Sequence, residues 1–298
     1  MLMSFDVNQY KLSQRQGWDS AASGWKYWWQ IIEKGAQKIN DRLIDLAKIK
    51  QGDKVLDLAT GIGEPAITAA KVVGSQGHVL AVDISPQMLS IARQRSVSLG
   101  LQDIIEFKQS DIESLQLSPL SFDAALCRWG LMFLPNLDSA LTNMFNSLKN
   151  SGRIATAVWS SQSKTPFVGF PISIIMRELD VSDPNISSDS TTNLRIPGPC
   201  TLADERILKN SLQKAGFKDI HIERQNVTFE FDSVNDYINH VKDIAAPLKA
   251  MLDKESASRQ EEIWKAVAKE VKANYTNTGN DDGFVIMNNE CICFVGSK

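Results

Sequence analysis

The stretch Val55-Leu-Asp-Leu-Ala-Thr-Gly-Ile-Gly63 decides the fold. Val55, Leu56 and Leu58 suit a strand buried on both faces. Gly61 and Gly63 then let the backbone turn tightly and come close to a ligand. Glu64-Pro65 opens a helical run that continues to Val73. Proline is favoured in a first helical turn, and an acid there complements the helix dipole. Strand, glycine loop and helix in this order predict the nucleotide-binding corner of a doubly wound α/β sheet.

The loop alone does not select a ligand, because Ala66 stands at the third position of the dinucleotide fingerprint G-x-G-x-x-G. Carboxylates narrow the choice. Asp57 lies inside the strand, where an acid without partners is costly. Asp83 closes a second apolar run, His78-Val-Leu-Ala-Val-Asp83. It falls about twenty residues after the first glycine, a place from which a carboxylate reaches ribose hydroxyls. Asp83 is expected to end its strand near solvent. Ser85-Pro86 behind it caps a helix that runs to Leu99 and ends at Gly100. Asp111 ends a third run, Ile104–Ser110. Strands that end at carboxylates or glycine turns make one polar ligand-binding edge.

Asp57-Leu-Ala-Thr-Gly-Ile-Gly63, Asp83 with Ser85-Pro-Gln-Met88, Ser110-Asp111-Ile112, and Phe122-Asp123 before Arg128-Trp129-Gly130 resemble the successive motifs of class I S-adenosylmethionine-dependent methyltransferases. The match is ordered and in register over residues 50–160. Within that superfamily the chain is similar to the ubiquinone/menaquinone C-methyltransferase type. The resemblance implies a doubly wound, seven-stranded, mostly parallel Rossmann-like sheet with an antiparallel last strand and a helical lid. It implies S-adenosyl-L-methionine as cofactor. Asp57, Ala59, Thr60, Gly61 and Gly63 would hold its methionine part, and Asp83 its ribose. Asp111 would take the adenine amine, with Ile84, Met88 and Ile112 about the adenine ring. Arg128 and Trp129 would lie beside the donor methyl.

The 298 residues suit one large domain or a domain with a substantial lid, and 43% hydrophobic content allows a sizeable core. A net charge of −3 with no basic stripe argues against a nucleic-acid surface. No apolar run reaches the length of a membrane span, and Met1–Asn8 does not resemble a signal peptide. The expectation is a cytoplasmic enzyme of small molecules, with peripheral membrane contact left open. Cys127, Cys200, Cys291 and Cys293 have no metal-ligand spacing with His78, His221 or His240 and read as buried free thiols.

The sequence divides into an N-terminal helical cover (1–50), a cofactor-binding core (51–160), a lid insertion (161–200), and a completion of the sheet (201–298) that carries a helical lid segment at 233–280. Residues 1–16 read as polar and mobile, and 36–48 as a helix leading into the first strand. Four of seven tryptophans lie between Trp18 and Trp29. Trp18-Asp19, Ala22 and Trp25 resemble an aromatic pattern that the family carries at this point. Trp25 and Trp28, three apart, share a helix face and are expected to face the cofactor–acceptor chamber. The insertion contains an apolar stretch, Phe167–Met176, and a polar loop, Ser182–Asn193. Later elements read as a helix at Leu202–Ala215, a strand at Ile220–Phe231 and a final strand at Asn289–Val295.

Methyl transfer from a sulfonium is an in-line displacement that needs alignment and exclusion of water, with no metal or covalent nucleophile. A phenolic or carbon acceptor also benefits from a base, usually histidine. His78 precedes the second strand and His221 starts the sixth, both at the wrong end of the sheet, which leaves His240 as the candidate. Two other functions compete. A nicotinamide-dependent oxidoreductase would use Gly61, Gly63, Ala66 and Asp83 but leaves Asp111 and the lid unexplained. A non-catalytic S-adenosylmethionine-binding module would bind cofactor without turnover.

Overall fold

A computed structural model describes residues 6–181, 197–276 and 283–298; the polar loop expected at Ser182–Asn193 lies outside them. The sheet has seven strands in the order β3-β2-β1-β4-β5-β7-β6. They are β1 Lys54–Leu58, β2 His78–Asp83, β3 Ile105–Gln109, β4 Phe122–Arg128, β5 Leu148–Trp159, β6 Lys218–Phe231 and β7 Val285–Ser297. β1 pairs in parallel with β2 and β4, β2 with β3, and β4 with β5. β7 runs antiparallel to β5, from Arg153 opposite Ser297 to Trp159 opposite Cys291. Central strands carry small or branched apolar side chains because helices cover both faces. Val55, Val79, Ala81, Leu126 and Ala155 are all fully buried.

The chain separates into two compact units. The larger holds Gln37–Ser160, Pro197–Gln225 and Cys291–Lys298. It contains strands β1 to β5 with helices α2 Ala66–Val73, α3 Pro86–Ser98, α4 Leu137–Ser147 and α6 Glu205–Ala215. The expected cap of α3 is present, since the Ser85 hydroxyl accepts from the Met88 N–H. The second unit holds Met1–Ala36, Ser161–Ile196 and Asn226–Glu290. Its helices include α5 Pro166–Glu178, α7 Val234–Ile244, α8 Ala246–Leu252 and α9 Ala257–Tyr275.

Helix α1, Val7–Ala47, is one 41-residue element. It replaces the mobile leader and separate helix expected from the sequence. Asp6 begins it, accepting from the Asn8 and Gln9 N–H groups at 2.9 and 3.1 Å, and so satisfies donors that a helix start leaves open. Gly35 is required in α1 by close approach. A Cβ there would lie 2.4 Å from the Thr228 carbonyl oxygen and 2.7 Å from the Phe229 ring.

The core of the second unit is aromatic. Trp28 lies edge-on to Phe231 and His240, and Phe167 packs 4.1 Å from Phe229. The Trp28 indole N–H donates to Asp243 at 2.8 Å, and the Tyr237 hydroxyl donates to the Phe167 carbonyl. Trp28→Phe keeps an aromatic body but loses the bond to Asp243, whose exposed carboxylate then turns to water. A loss of about 0.5–1.5 kcal/mol in unfolding free energy is expected, measurable by urea denaturation. No described helix is long and apolar enough to cross a membrane.

Candidate active site

The larger unit assembles the polar edge at the carboxyl ends of its parallel strands. The Thr60 N–H donates to the Val82 carbonyl, Ser110 to Asp83, and Trp129 to Ala157. These bonds stitch the loops after β1, β3 and β4 to their neighbours. Ala59, Thr60, Gly61 and Gly63 form the loop after β1, and Asp83 and Ile84 end β2. Met88 sits in the first turn of α3, and Asp111 and Ile112 follow β3. Met88 and Ile112 are buried. Asp111 accepts from the Glu113 N–H at 2.9 Å.

Two of the six described non-glycine residues with positive φ lie here. Ala59 and Trp129 have φ of 57° and 58°, a left-handed conformation that costs a side-chain-bearing residue roughly 1–2 kcal/mol. Such outliers cluster at working sites. Gly130 lets the two loops meet: a Cβ there would lie 2.4 Å from that of Ala59. Gly61, with φ of 57°, has open space where a Cβ would be, so its backbone can approach a bound molecule closely.

Asp57 is fully buried. Its Oδ2 accepts from the Ala66 N–H at 3.0 Å, while its Oδ1 has no hydrogen-bond partner among the described residues. Burial pushes its carboxyl up to about 7, against the pull of the Thr60 hydroxyl, the Ala66 N–H and the Arg128 charge. The buried Thr60 hydroxyl lies outside good hydrogen-bond geometry. These two buried oxygens fit a cationic, hydrogen-donating group such as an amino-acid ammonium.

Asp83 departs from the expectation of a solvent-facing strand end. It is 7% exposed. Its Oδ2 accepts from the Gly61 N–H at 2.8 Å and its Oδ1 from the Ser85 N–H at 2.9 Å. The carboxylate therefore shapes the glycine loop and the start of α3 through backbone bonds, a role with no signature in a sequence.

Arg128 ends β4 and is 8% exposed. Its guanidinium lies over the Trp129 ring, 4.8 Å from the centroid, and its Nη1 donates to Asn40 at 2.8 Å. Trp129 stacks on Trp159 at 4.1 Å, and its indole N–H points to the Cys291 sulfur at 3.4 Å. The sequence reading missed Asn40, Trp159 and Cys291. Trp159 and Cys291, opposite each other in the β5–β7 register, become neighbours of Trp129 only through long-range pairing.

Three candidates belong to the second unit instead. Trp28 is corrected from chamber wall to core residue, because its ring and N–H are engaged by Phe231, His240 and Asp243. Trp25 has a buried indole nitrogen without a partner among the described residues. His240 is corrected as a base. It is 1% exposed and packed among Trp28, Phe167, Phe231 and Tyr237, with neither ring nitrogen hydrogen-bonded. Burial lowers its imidazole to about 3. A base must reach the proton that it takes, and this ring is enclosed.

Comparison with known proteins agrees with this geometry. The sequence profile of a methyltransferase domain matches residues 49–216. The ubiquinone/menaquinone biosynthesis C-methyltransferase UbiE of Methylococcus capsulatus is 33% identical over 147 residues, 49% of this chain and 59% of that protein. The UbiE of Serratia proteamaculans is 28% identical over 197 residues, 64% of this chain and 76% of that protein. Among solved structures, phosphoethanolamine N-methyltransferase 2 of Haemonchus contortus has a TM-score of 0.55 at 18% identity, covering 99% of this chain and 61% of that one. The [4+2]-cyclase SpnF has a TM-score of 0.53 at 20% identity, covering 89% and 82%. These structural likenesses speak to the fold alone. Profile, relatives and sheet order together place the chain in the methyltransferase-domain family, as a class I S-adenosylmethionine-dependent methyltransferase.

Proposed function

We propose that the chain moves a methyl group from S-adenosylmethionine to a small apolar acceptor of aromatic or quinone-like character. The observation that carries the site is the buried, half-partnered carboxylate of Asp57 behind a glycine loop. The acceptor class is supported by the names of the UbiE relatives and by the Trp129–Trp159 stack at the ends of β4 and β5.

When bound, S-adenosylmethionine supplies a methyl already activated by the sulfonium charge. The protein has to bind, orient and exclude water. Asp57 Oδ1 would face the ammonium, and the loop at Ala59–Gly63, whose Thr60, Gly61 and Gly63 N–H groups are bonded within the protein, would shape the place of the methionine part. Asp83 would bind the ribose hydroxyls, and Asp111 the adenine amine. Ile84, Met88 and Ile112 would enclose the ring. Arg128 and Trp129, in contact with each other, would form the wall beside the reacting carbon.

Incubation with methyl-deuterated S-adenosylmethionine and a panel of hydroquinones, phenols and amines, read by mass spectrometry, tests the acceptor. Labelled hydroquinone or phenol products are expected. Labelled amines alone would overturn the acceptor class, and micromolar NAD binding without S-adenosylmethionine binding would overturn the cofactor. Asp83→Ala is expected to weaken S-adenosylhomocysteine binding by about 1.5–3 kcal/mol for each charge-assisted bond lost. It should also lower the ligand-free melting temperature by several degrees, since two backbone N–H groups lose their acceptor. Calorimetry and a thermal scan measure both effects.

A further inference from the structure

Asn40 is the residue of the larger unit that no motif accounts for. It lies within α1 and is fully buried. Asparagine is a poor residue for a helix interior, and a buried amide is costly unless both its ends are satisfied. Here both are. Oδ1 accepts from Arg128 Nη1 at 2.8 Å, and Nδ2 donates to Glu64 Oε2 at 3.4 Å.

The bonds continue into the glycine loop. Glu64 Oε2 also accepts from the Thr68 N–H at 3.2 Å and the Thr68 hydroxyl at 2.8 Å. Arg95 Nη2 reaches Glu64 Oε1 at 3.4 Å, while Arg95 Nη1 donates to the Ile62 carbonyl at 2.6 Å. A path of polar contacts thus runs from the end of β4, through one amide of α1, to the loop after β1. The arrangement demands an amide. It has to accept from a cation on one side and donate to a carboxylate on the other. Aspartate would set a second carboxylate against Glu64, and leucine would serve neither partner.

We infer that Asn40 is a positioning residue, whose amide holds the Arg128 guanidinium in register with the glycine loop through Glu64. The inference rests on the cofactor reading above. It assigns α1 a part in the binding site, made by a side chain that the cofactor need not touch. Arg128 also lies over the Trp129 ring, so the guanidinium keeps that contact when the amide is lost.

A double-mutant cycle read by S-adenosylhomocysteine affinity tests this. Calorimetry on the full-length wild type, Asn40→Leu, Arg128→Met and the double variant gives four dissociation constants, with melting temperatures alongside. Asn40→Leu is expected to weaken binding about tenfold and Arg128→Met at least as much. The double variant should lie within a factor of two of Arg128→Met, because the amide acts through the guanidinium. Multiplicative losses, or wild-type affinity in Asn40→Leu, would overturn the inference. Asn40→Ser also reaches neither partner, and it runs the same cycle against the same thresholds if Asn40→Leu does not fold. A wild-type chain that fails to bind S-adenosylhomocysteine overturns the cofactor reading itself, before any variant is compared.

Discussion

Asp57→Asn is expected to weaken S-adenosylhomocysteine binding by about 100-fold or more, while raising the melting temperature of the ligand-free protein above pH 7. The substituted amide can still accept from the Ala66 N–H. Its NH2 group then faces the place proposed for the ligand's ammonium, so a donor meets a donor. Loss of a buried, charge-assisted contact of this kind costs about 3 kcal/mol or more. Stability moves the other way. The Asp57 carboxyl titrates near 3.8 when solvated and at about 7 in the fold. Its contribution is fully present below pH 3.8, falls as pH rises between the two values, and is lost above 7. The total is about 4 kcal/mol. Asparagine removes that dependence. Binding near pH 6.5 should release protons from wild type, since the ammonium favours the charged carboxylate, and from Asp57→Asn it should release fewer. Calorimetry in two buffers of different ionisation enthalpy reads the difference. Equal affinity of the two proteins at pH 8 would remove Asp57 from the cofactor site.

His240 carries the second large effect, on acid stability. Its imidazole titrates near 6.5 when solvated and at about 3 within the aromatic core. The folded protein therefore holds it neutral. Above pH 6.5 the group is neutral in both states and costs nothing through protonation. As pH falls from 6.5 to 3, the unfolded chain takes up a proton that the folded chain refuses, and stability drops. The drop is about 2 kcal/mol at pH 5 and about 4 kcal/mol by pH 3. His240→Phe is expected to abolish this component and to hold or raise stability at pH 7.5, because two buried nitrogens without partners disappear. Urea denaturation of both proteins at pH 7.5 and pH 5 checks it. An unchanged pH dependence in the variant would place the acid sensitivity elsewhere.

The sheet and its loop were legible because their signals are local. Val55–Gly63 combines apolar strand residues with two glycines, and Asp83 and Asp111 each close an apolar run. The antiparallel last strand followed from the resemblance, and β7 agrees with it. The start of α1 was hidden because its first turns carry a mixture of polar and apolar residues, and the capping Asp6 follows a short, unpatterned leader. Trp28 and His240 misled for a common reason. A helix face gives the direction of a side chain relative to its neighbours in sequence, but the partner of that face is set by packing. The aromatic rings of Phe167, Phe229 and Phe231 come from distant segments. Asn40 and the backbone bonds of Asp83 were illegible in principle, since neither an isolated amide nor a main-chain N–H leaves a pattern.

The division into two units also governs how this chain could have diversified. Six segments alternate between the units, so the backbone passes from one to the other five times. Neither unit is a contiguous cassette. A recombination with a single crossover ahead of the last segment would exchange parts of both at once. A change confined to the second unit has to arise by substitution, insertion or deletion within a segment. A chimera that borrows that unit from a relative needs three stretches exchanged together, with joins inside α1, β6 and β7.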